Sequence, residues 1–252
     1  MSRLKYVLGA VLCGVMVSLS AQAGEVSVAV AANFSAALDQ IVRKFESASG
    51  HHVLVSSGST GKLYAQVVNG APFDVFLAAD SERPMRMESE NLAVAGSRYT
   101  YAIGRLVLWS PTAGFVDGNG QILRQGQFQH LAMANPKAAP YGTAAMETLE
   151  SMGLLKSLQA RLVQGGDIAQ TYQFVATGNA ELGFVSLAQI KAAEQKYQGS
   201  YWLVPQTLHR PISQQAVLLE KGRNNAAARD FLAYLKGKEA RAIIENNGYV
   251  MP

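Results

Sequence analysis

After its first 23 residues the chain alternates apolar runs with amphipathic stretches. Three times, an apolar run rich in β-branched residues ends in small polar residues and is followed by apolar positions three or four residues apart. The predicted strands are EVSVAVAA (25–32), HHVLVSS (51–57) and FDVFLAAD (73–80). A strand, a crossover helix and a second strand make a βαβ unit, so this region predicts a parallel sheet.

The same alternation returns in the second half of the chain. Further strands are predicted at HLAMANP (130–136), RLVQ (161–164), ELGFVS (181–186) and YWLVP (201–205). Helices are predicted to begin near Thr143, Asp167 and Ser186. The closing stretch predicts two helices that are separated at Gly237 and end near Gly248.

Two extended runs, Ala102 to Ser110 and Ile212 to Leu219, bracket the middle of the chain. Their positions make them candidates for paired crossovers between two lobes. We therefore expect residues 24–105 in the first lobe, 106–209 in the second, and 210–252 in a return to the first.

Residues 1–23 have the organisation of an export signal. Basic residues precede an apolar run, Val7 to Leu19, which leads to the small-residue site Ala21-Gln22-Ala23. The run is shorter than the roughly 20 residues that a membrane-spanning helix needs. We expect cleavage before Gly24 and a periplasmic protein. Cys13 is the only cysteine and lies within this signal, so the mature chain should have no disulfide and no thiolate nucleophile.

Composition excludes several classes of function. The formal net charge is only +4, which predicts binding to neither nucleic acid nor a membrane surface. The four histidines show no H-x-x-x-H spacing, and no G-x-S-x-G motif occurs. We therefore expect no enzyme activity, no cofactor and no metal bound by direct coordination.

The stretch VSSGSTGKLYAQ (55–66) has three possible interpretations. The first is a nucleotide-binding loop and the second is the active site of a serine enzyme. A nucleotide-binding loop would need glycine where Ser56 stands and a hydroxyl residue where Leu63 stands. The pair Ser59-x-x-Lys62 matches the S-x-x-K of penicillin-binding enzymes, but the S-D-N and K-T-G elements are absent from the chain. A periplasmic serine enzyme therefore remains only a remote alternative.

The third interpretation is an anion site. Free N–H groups at a helix start and short hydroxyl side chains favour negative charge, and Ser59 and Thr60 meet that need. Asn33 follows the first strand in the same way, and PYGTAA (140–145) and GDIAQ (166–170) open helices further on. Ligands of open α/β sheets collect at the carboxyl ends of the strands. If the four helix starts do not converge, ordinary helix capping explains them equally well.

The mature chain resembles the periplasmic molybdate-binding proteins of bacterial ABC importers over essentially its whole length. The segments that carry the resemblance are VAVAANFSAAL, GSTGKLYAQVVNGAPFDVFLAAD, LAMANPKAAPYGTAAMETL, GGDIAQTYQFVATGNAELGFV and AARDFLAYLKGKEARAIIENNGY. The resemblance implies an α/β, two-lobed type II periplasmic binding-protein fold, in which each lobe has a mostly parallel sheet and two crossover strands form the hinge.

The resemblance also implies a function. It predicts a receptor, expected to be a monomer, that binds molybdate or tungstate in the interlobe cleft and delivers it to a membrane permease. Sulfate or another tetrahedral oxyanion is the alternative ligand. Because molybdate is larger than sulfate, a cradle sized for it would hold the smaller ion imperfectly.

Carried over by position, the resemblance predicts an anion cradle of five residues. These are Asn33, Ser59, Thr60, Tyr141 and Ile168. Ile168 is apolar and would contribute its backbone N–H, whereas Asn33 could offer its amide. Some members have a tyrosine ligand where this chain has Ser186; we expect Ser186 to cap a helix, with Gln189 at capping-box spacing, and the Tyr141 hydroxyl to replace the missing one.

Overall fold

The computed structural model describes residues 23–193 and 199–252. The strands are β1 (Glu25–Ala31), β2 (His52–Gly58), β3 (Val75–Ala78), β4 (Tyr99–Gly104), β5 (Leu106–Ser110), β6 (Leu131–Ala134), β7 (Leu162–Gly165), β8 (Leu182–Ser186), β9 (Ser200–Leu203) and β10 (Ile212–Leu218). The α-helices are α1 (Ser35–Ser49), α2 (Thr60–Val68), α3 (Glu82–Ser89), α4 (Ile122–Gln125), α5 (Pro140–Ser151), α6 (Leu155–Leu158), α7 (Ile168–Ala176), α8 (Leu187–Ala193), α9 (Ala226–Leu235) and α10 (Lys238–Asn246). Within the described ranges, no helix combines the length and the apolar character needed to cross a membrane.

The strands form two five-stranded sheets of the same design. The first has the order β2-β1-β3-β10-β4 and the second the order β7-β6-β8-β5-β9. In the first sheet β1 is parallel to β2 and β3, while β10 is antiparallel to both β3 and β4. In the second, β6 is parallel to β7 and β8, while β5 is antiparallel to β8 and β9. One reversed strand in each otherwise parallel sheet confirms the predicted fold class.

The reversed strand in each sheet is the one that enters from the other sheet. β5 follows β4 after the single residue Arg105, and β10 follows β9 after residues 204–211. The first predicted crossover run, Ala102 to Ser110, is thus divided between the sheets at Arg105. The second predicted run lies in the first sheet, and the chain crosses just before it. The positions of the strands agree with lobe boundaries at 105/106 and 209/210. These boundaries stay a prediction.

Helix boundaries follow local chemistry. α5 begins at Pro140 rather than near Thr143, because proline suits the first helical turn, where its missing N–H has no acceptor to lose. α7 begins directly after Asp167 and α8 directly after Ser186, as the capping patterns predicted. α9 and α10 are separated at Gly237, as expected.

The helices cover both faces of each sheet. Val26, Val28 and Val30 of β1 belong to the same core cluster as the α1 side chains, whereas Ala29 belongs to a second cluster with Leu63 of α2. In the second sheet, the buried apolar side chains of α5 belong to one core cluster and Val175 of α7 belongs to another. Successive helices that leave on opposite faces open a crevice at the carboxyl ends of the strands. Each sheet therefore presents one such crevice.

Candidate anion-binding site

A small cavity lies where the two crevices meet, and it gathers all five residues of the predicted cradle. The first lobe contributes Ala31, Ala32, Asn33, Gly58, Ser59, Thr60 and Ala79, and the second contributes Ala139, Pro140, Tyr141, Asp167 and Ile168. The cavity measures about 10 Å³, close to the space of a single water molecule.

Two buried hydroxyls from the start of α2 line the cavity. Ser59 is 3% exposed and Thr60 is 1% exposed. The Ser59 Oγ accepts from the Lys62 N–H at 3.3 Å, and the Thr60 Oγ1 accepts from the Ala79 N–H at 3.1 Å. Each hydroxyl oxygen thus accepts one hydrogen bond. The hydroxyl proton has no acceptor among the described residues. Both side chains can donate to an anion, and Ser59 is a helix cap as well.

The second lobe contributes backbone donors. Tyr141 and Ile168 stand in the first turns of α5 and α7, where N–H groups have no acceptor within the helix. Neither N–H has an acceptor elsewhere in the described ranges. The carboxylate of Asp167 also lines the cavity, and it accepts from the Gln170 N–H at 2.8 Å. Two helix starts with unpaired N–H groups therefore meet the two hydroxyls of the first lobe.

The Asn33 amide does not have the role expected of it. Its Nδ2 donates to Gln214 Oε1 at 2.9 Å and to the Tyr249 hydroxyl at 3.1 Å, so both amide hydrogens have acceptors inside the protein. The amide oxygen can only accept, which gives it nothing to offer an anion. The contribution left to Asn33 in this arrangement is its backbone N–H, in the short 3-10 helix that follows β1.

The Tyr141 hydroxyl also has a hydrogen-bond partner inside the protein. It accepts a hydrogen bond from Gln214 Nε2 at 3.4 Å. A side chain at Gly104 would overlap this hydroxyl. Burial raises the pKa of Tyr141 well above its usual value, so the hydroxyl is neutral. The proton of this hydroxyl has no acceptor among the described residues, so the expectation that it replaces a ligand hydroxyl stays a prediction, beside the backbone N–H.

Ser186 caps α8, as predicted. Its Oγ accepts from the Gln189 N–H at 3.3 Å, and Gln189 Oε1 accepts from the Ser186 N–H at 3.0 Å, which completes the capping box. The Gln189 Nε2 also donates to the Ile168 carbonyl at 2.9 Å, a contact that sequence spacing did not indicate. Gln189 therefore ties the first residue of α7 to the α8 cap.

The cavity lining carries no cationic side chain. Lys62 is exposed, makes no ion pair with a described residue, and extends toward the second lobe, where a side chain at Gly166 would come within 3.1 Å of its Nζ. In the described part of the chain, His, Cys, Asp and Glu form no cluster suited to a metal ion. The arrangement suits an anion held by neutral hydrogen-bond donors.

A wider cleft of about 420 Å³ lies beside the cavity and shares Ala79 and Pro140 with it. Both of its cationic residues are paired, Arg83 with Asp80 and Arg210 with Glu147, and Glu82 adds a further negative charge. Because these ion pairs satisfy their own charges, the wider cleft offers no unpaired donor set for an anion. We therefore locate the candidate site in the smaller cavity.

The chain is similar in sequence and in fold to proteins that are named as molybdate-binding. The chain is 51% identical to the molybdate-binding protein ModA of Azotobacter vinelandii over 249 residues, which cover 99% of this chain and 97% of that protein. It is 47% identical to the molybdate-binding protein ModA of Rhodobacter capsulatus over 233 residues, 92% of this chain and 91% of that protein. The solved periplasmic molybdate-binding protein of Azotobacter vinelandii superposes with a TM-score of 0.87 at 44% identity, covering 90% of this chain and 99% of that one.

The sequence model of a protein family matches nearly the whole mature chain. The match spans residues 26–250 and describes bacterial extracellular solute-binding proteins. The two-sheet fold and the interlobe cavity agree with that description. The chain belongs to the family of bacterial extracellular solute-binding proteins.

Proposed function

We propose that this protein is a periplasmic receptor that binds molybdate, and tungstate with it, in the cavity between its lobes and delivers the anion to the permease of an ABC importer. The observation that carries the proposal is the meeting of unpaired neutral donors from both lobes in one cavity whose lining has no cation. The names of the relatives from Azotobacter vinelandii and Rhodobacter capsulatus support molybdate as the ligand.

Neutral donors suit a doubly charged oxyanion for a physical reason. The N–H groups at a helix start carry partial positive charge, and the helix dipole adds to it, so several starts together stabilise an anion without a counter-ion. Hydrogen bonds to a charged acceptor are stronger than those between neutral groups. Ser59, Thr60, Tyr141 and Ile168 together supply two hydroxyls and two backbone donors of this kind.

A set of fixed donors also selects by size. Donors placed for the larger molybdate ion would stand too far from sulfate, and a charged group that is left partly unsatisfied costs about 1–3 kcal/mol or more. Because tungstate has almost the size and charge of molybdate, the same cavity should hold both.

The serine-enzyme alternative fails on geometry as well as on motif. The Ser59 Oγ accepts a hydrogen bond from the backbone N–H of Lys62, but the side-chain amine of Lys62 extends toward Gly166 in the other lobe. A general base must lie within hydrogen-bond reach of the nucleophile that it activates. The prediction that the chain is a binding protein and not an enzyme is confirmed by its relatives, which are named as binding proteins.

Export, partner and oligomeric state belong to the same proposal. The predicted signal, residues 1–23, lies outside the described residues except for its last position. We infer that the chain is exported, loses this segment before Gly24, acts as a monomer and docks to a membrane permease. The family match to extracellular solute-binding proteins supports this assignment.

Isothermal titration of residues 24–252 with molybdate, tungstate and sulfate in one buffer tests the proposal. We expect one-to-one binding of the first two anions and much weaker binding of sulfate. A preference for sulfate would assign the chain to a different importer. An absence of heat with all three would refute the oxyanion-receptor function.

A further inference from the structure

Gln214 is a fully buried polar residue in β10. Its exposed fraction is 0%, and the pairing of β10 with β4 shifts register between Gln214 and Gln215. A polar side chain without solvent contact must satisfy its hydrogen bonds inside the protein. Its Oε1 accepts from Asn33 Nδ2 at 2.9 Å and from the Tyr101 hydroxyl at 3.0 Å, and its Nε2 donates to the Tyr141 hydroxyl at 3.4 Å.

These hydrogen bonds connect the two lobes. Asn33 lies in the short 3-10 helix Ala32–Phe34 after β1 in the first lobe, whereas Tyr141 stands in the first turn of α5 in the second. The Tyr141 hydroxyl also lies against Gly104, the residue before Arg105, where the chain crosses from one sheet to the other. A single side chain thus contacts one cradle residue of each lobe, beside the crossing point.

Both ends of this connection are held in place. The Tyr249 hydroxyl donates to the Asn33 carbonyl at 2.7 Å and accepts from its amide, which holds Asn33 at two further points. At the other end, a side chain at Gly104 would come within 2.9 Å of Gln214 Nε2, so the glycine leaves just enough room for the bond to Tyr141. A buried network of this kind is rigid when every member is satisfied.

We propose that Gln214 is a positioning residue that sets the spacing between the two halves of the cradle, and thereby the size of oxyanion that the site accepts. The inference rests on the proposed oxyanion-receptor function. Asn33, Ser59 and Thr60 move with the first lobe, and Tyr141 and Ile168 with the second. The interlobe distance therefore decides whether the donors reach a large or a small ion. Loss of the Gln214–Tyr141 bond removes one restraint on that distance.

Two matched variants test this role. Tyr141→Phe removes the hydroxyl on which the interlobe bond ends and keeps the ring and the backbone N–H at the cavity. Tyr101→Phe makes the same chemical change in the other hydroxyl partner of Gln214, but that contact lies within the first lobe. Titration with molybdate and with sulfate gives the ratio of the two dissociation constants for each variant.

We expect the selectivity ratio to fall about tenfold or more in Tyr141→Phe, which corresponds to about 1.4 kcal/mol, and to stay within about twofold of wild type in Tyr101→Phe. A Tyr141→Phe ratio equal to that of the wild type, in a protein that still prefers molybdate, would overturn the proposal. Absence of molybdate binding by the wild-type chain would instead refute the proposed function, so the two failures are distinguishable.

A double-mutant cycle separates positioning from direct contact between the Tyr141 hydroxyl and the anion. Gln214→Met has a similar shape but neither donates nor accepts in this way. If Tyr141 acts through Gln214, Tyr141→Phe should change the selectivity ratio little in the Gln214→Met background. Independent, additive effects would mean that the hydroxyl acts on the anion itself, and would overturn the proposal. Should Gln214→Met not fold, Gln214→Leu, which likewise cannot donate to Tyr141, takes its place in the cycle.

Discussion

The backbone N–H of Gly61 donates to the carbonyl of Ala138 at 2.8 Å, which joins the first turn of α2 in one lobe to the segment before α5 in the other. The residues that precede Gly61 and follow Ala138, namely Thr60 and Ala139, both line the cavity. This interlobe bond therefore borders the candidate site, and the lobes stand in a closed arrangement.

Gly61→Ala should separate binding from stability. An added Cβ would lie 3.0 Å from both the Cα and the carbonyl oxygen of Ala138, so the lobes could not close as they do here. The same change favours the helix by up to about 1 kcal/mol. We expect molybdate affinity to fall about tenfold while the thermal unfolding midpoint is unchanged or higher.

Ala65→Ser, on an exposed position of the same helix, is the control for that comparison. It should alter neither affinity nor selectivity. If Gly61→Ala binds molybdate as tightly as the wild type, the closed contact between Gly61 and Ala138 is not needed for binding.

Thr60→Ala should weaken molybdate binding by roughly 1–3 kcal/mol, because it removes a buried hydroxyl donor to a charged acceptor. Thr60→Ser keeps the hydroxyl and should retain most of the affinity. Titration calorimetry measures both variants.

Ser186→Ala is the matched control variant for Thr60→Ala. It removes the cap of α8, which should cost about 1 kcal/mol of unfolding free energy, yet leave molybdate affinity almost unchanged. Equal affinity in Thr60→Ala and wild type would exclude the Thr60 hydroxyl from the site.

Lys62→Ala tests whether a charged side chain holds the anion. Lys62 is exposed and does not line the cavity, so the dissociation constant for molybdate should change less than about threefold at physiological ionic strength. A collapse of affinity would show that a point charge carries the binding energy and that the neutral-donor account is mistaken.

Glu147 should make stability depend on acid pH. It accepts from the backbone N–H of Arg210 at 2.9 Å and from the Arg210 Nε at 2.7 Å, which ties α5 to the segment that crosses between the lobes. Burial raises the pKa of Glu147, but these bonds and the charge of Arg210 outweigh it and lower the pKa below its usual value.

A carboxylate whose pKa is lowered on folding stabilises the protein above its unfolded pKa, which is about 4.3, and loses that contribution as the pH falls through the folded value. We expect Glu147→Gln to lower the unfolding free energy at neutral pH by up to about 1 kcal/mol, since Arg210 is largely exposed, and to lose less stability between about pH 5 and pH 3 than the wild type. Chemical denaturation across this range is the measurement; parallel pH profiles would contradict the assignment.

Sequence by itself determined the elements of this protein. The strand periodicity around β1 to β3, the helix starts at Ser59, Asp167 and Ser186, and the stop at Gly237 depend on neighbours within a few residues, so local spacing was enough to predict them. The resemblance of whole segments then named the five cradle residues, of which Ser59, Thr60 and Ile168 lie at the first two of those helix starts.

Only the tertiary structure decided how these residues are used. Asn33 and Gln214 lie far apart in the chain, and their hydrogen bond turns the Asn33 amide away from the cavity. The Tyr141 hydroxyl likewise accepts a hydrogen bond from Gln214, far away in the chain. The direction of a polar side chain depends on which partners burial brings near it. Those partners come from strands and helices whose proximity no local pattern encodes.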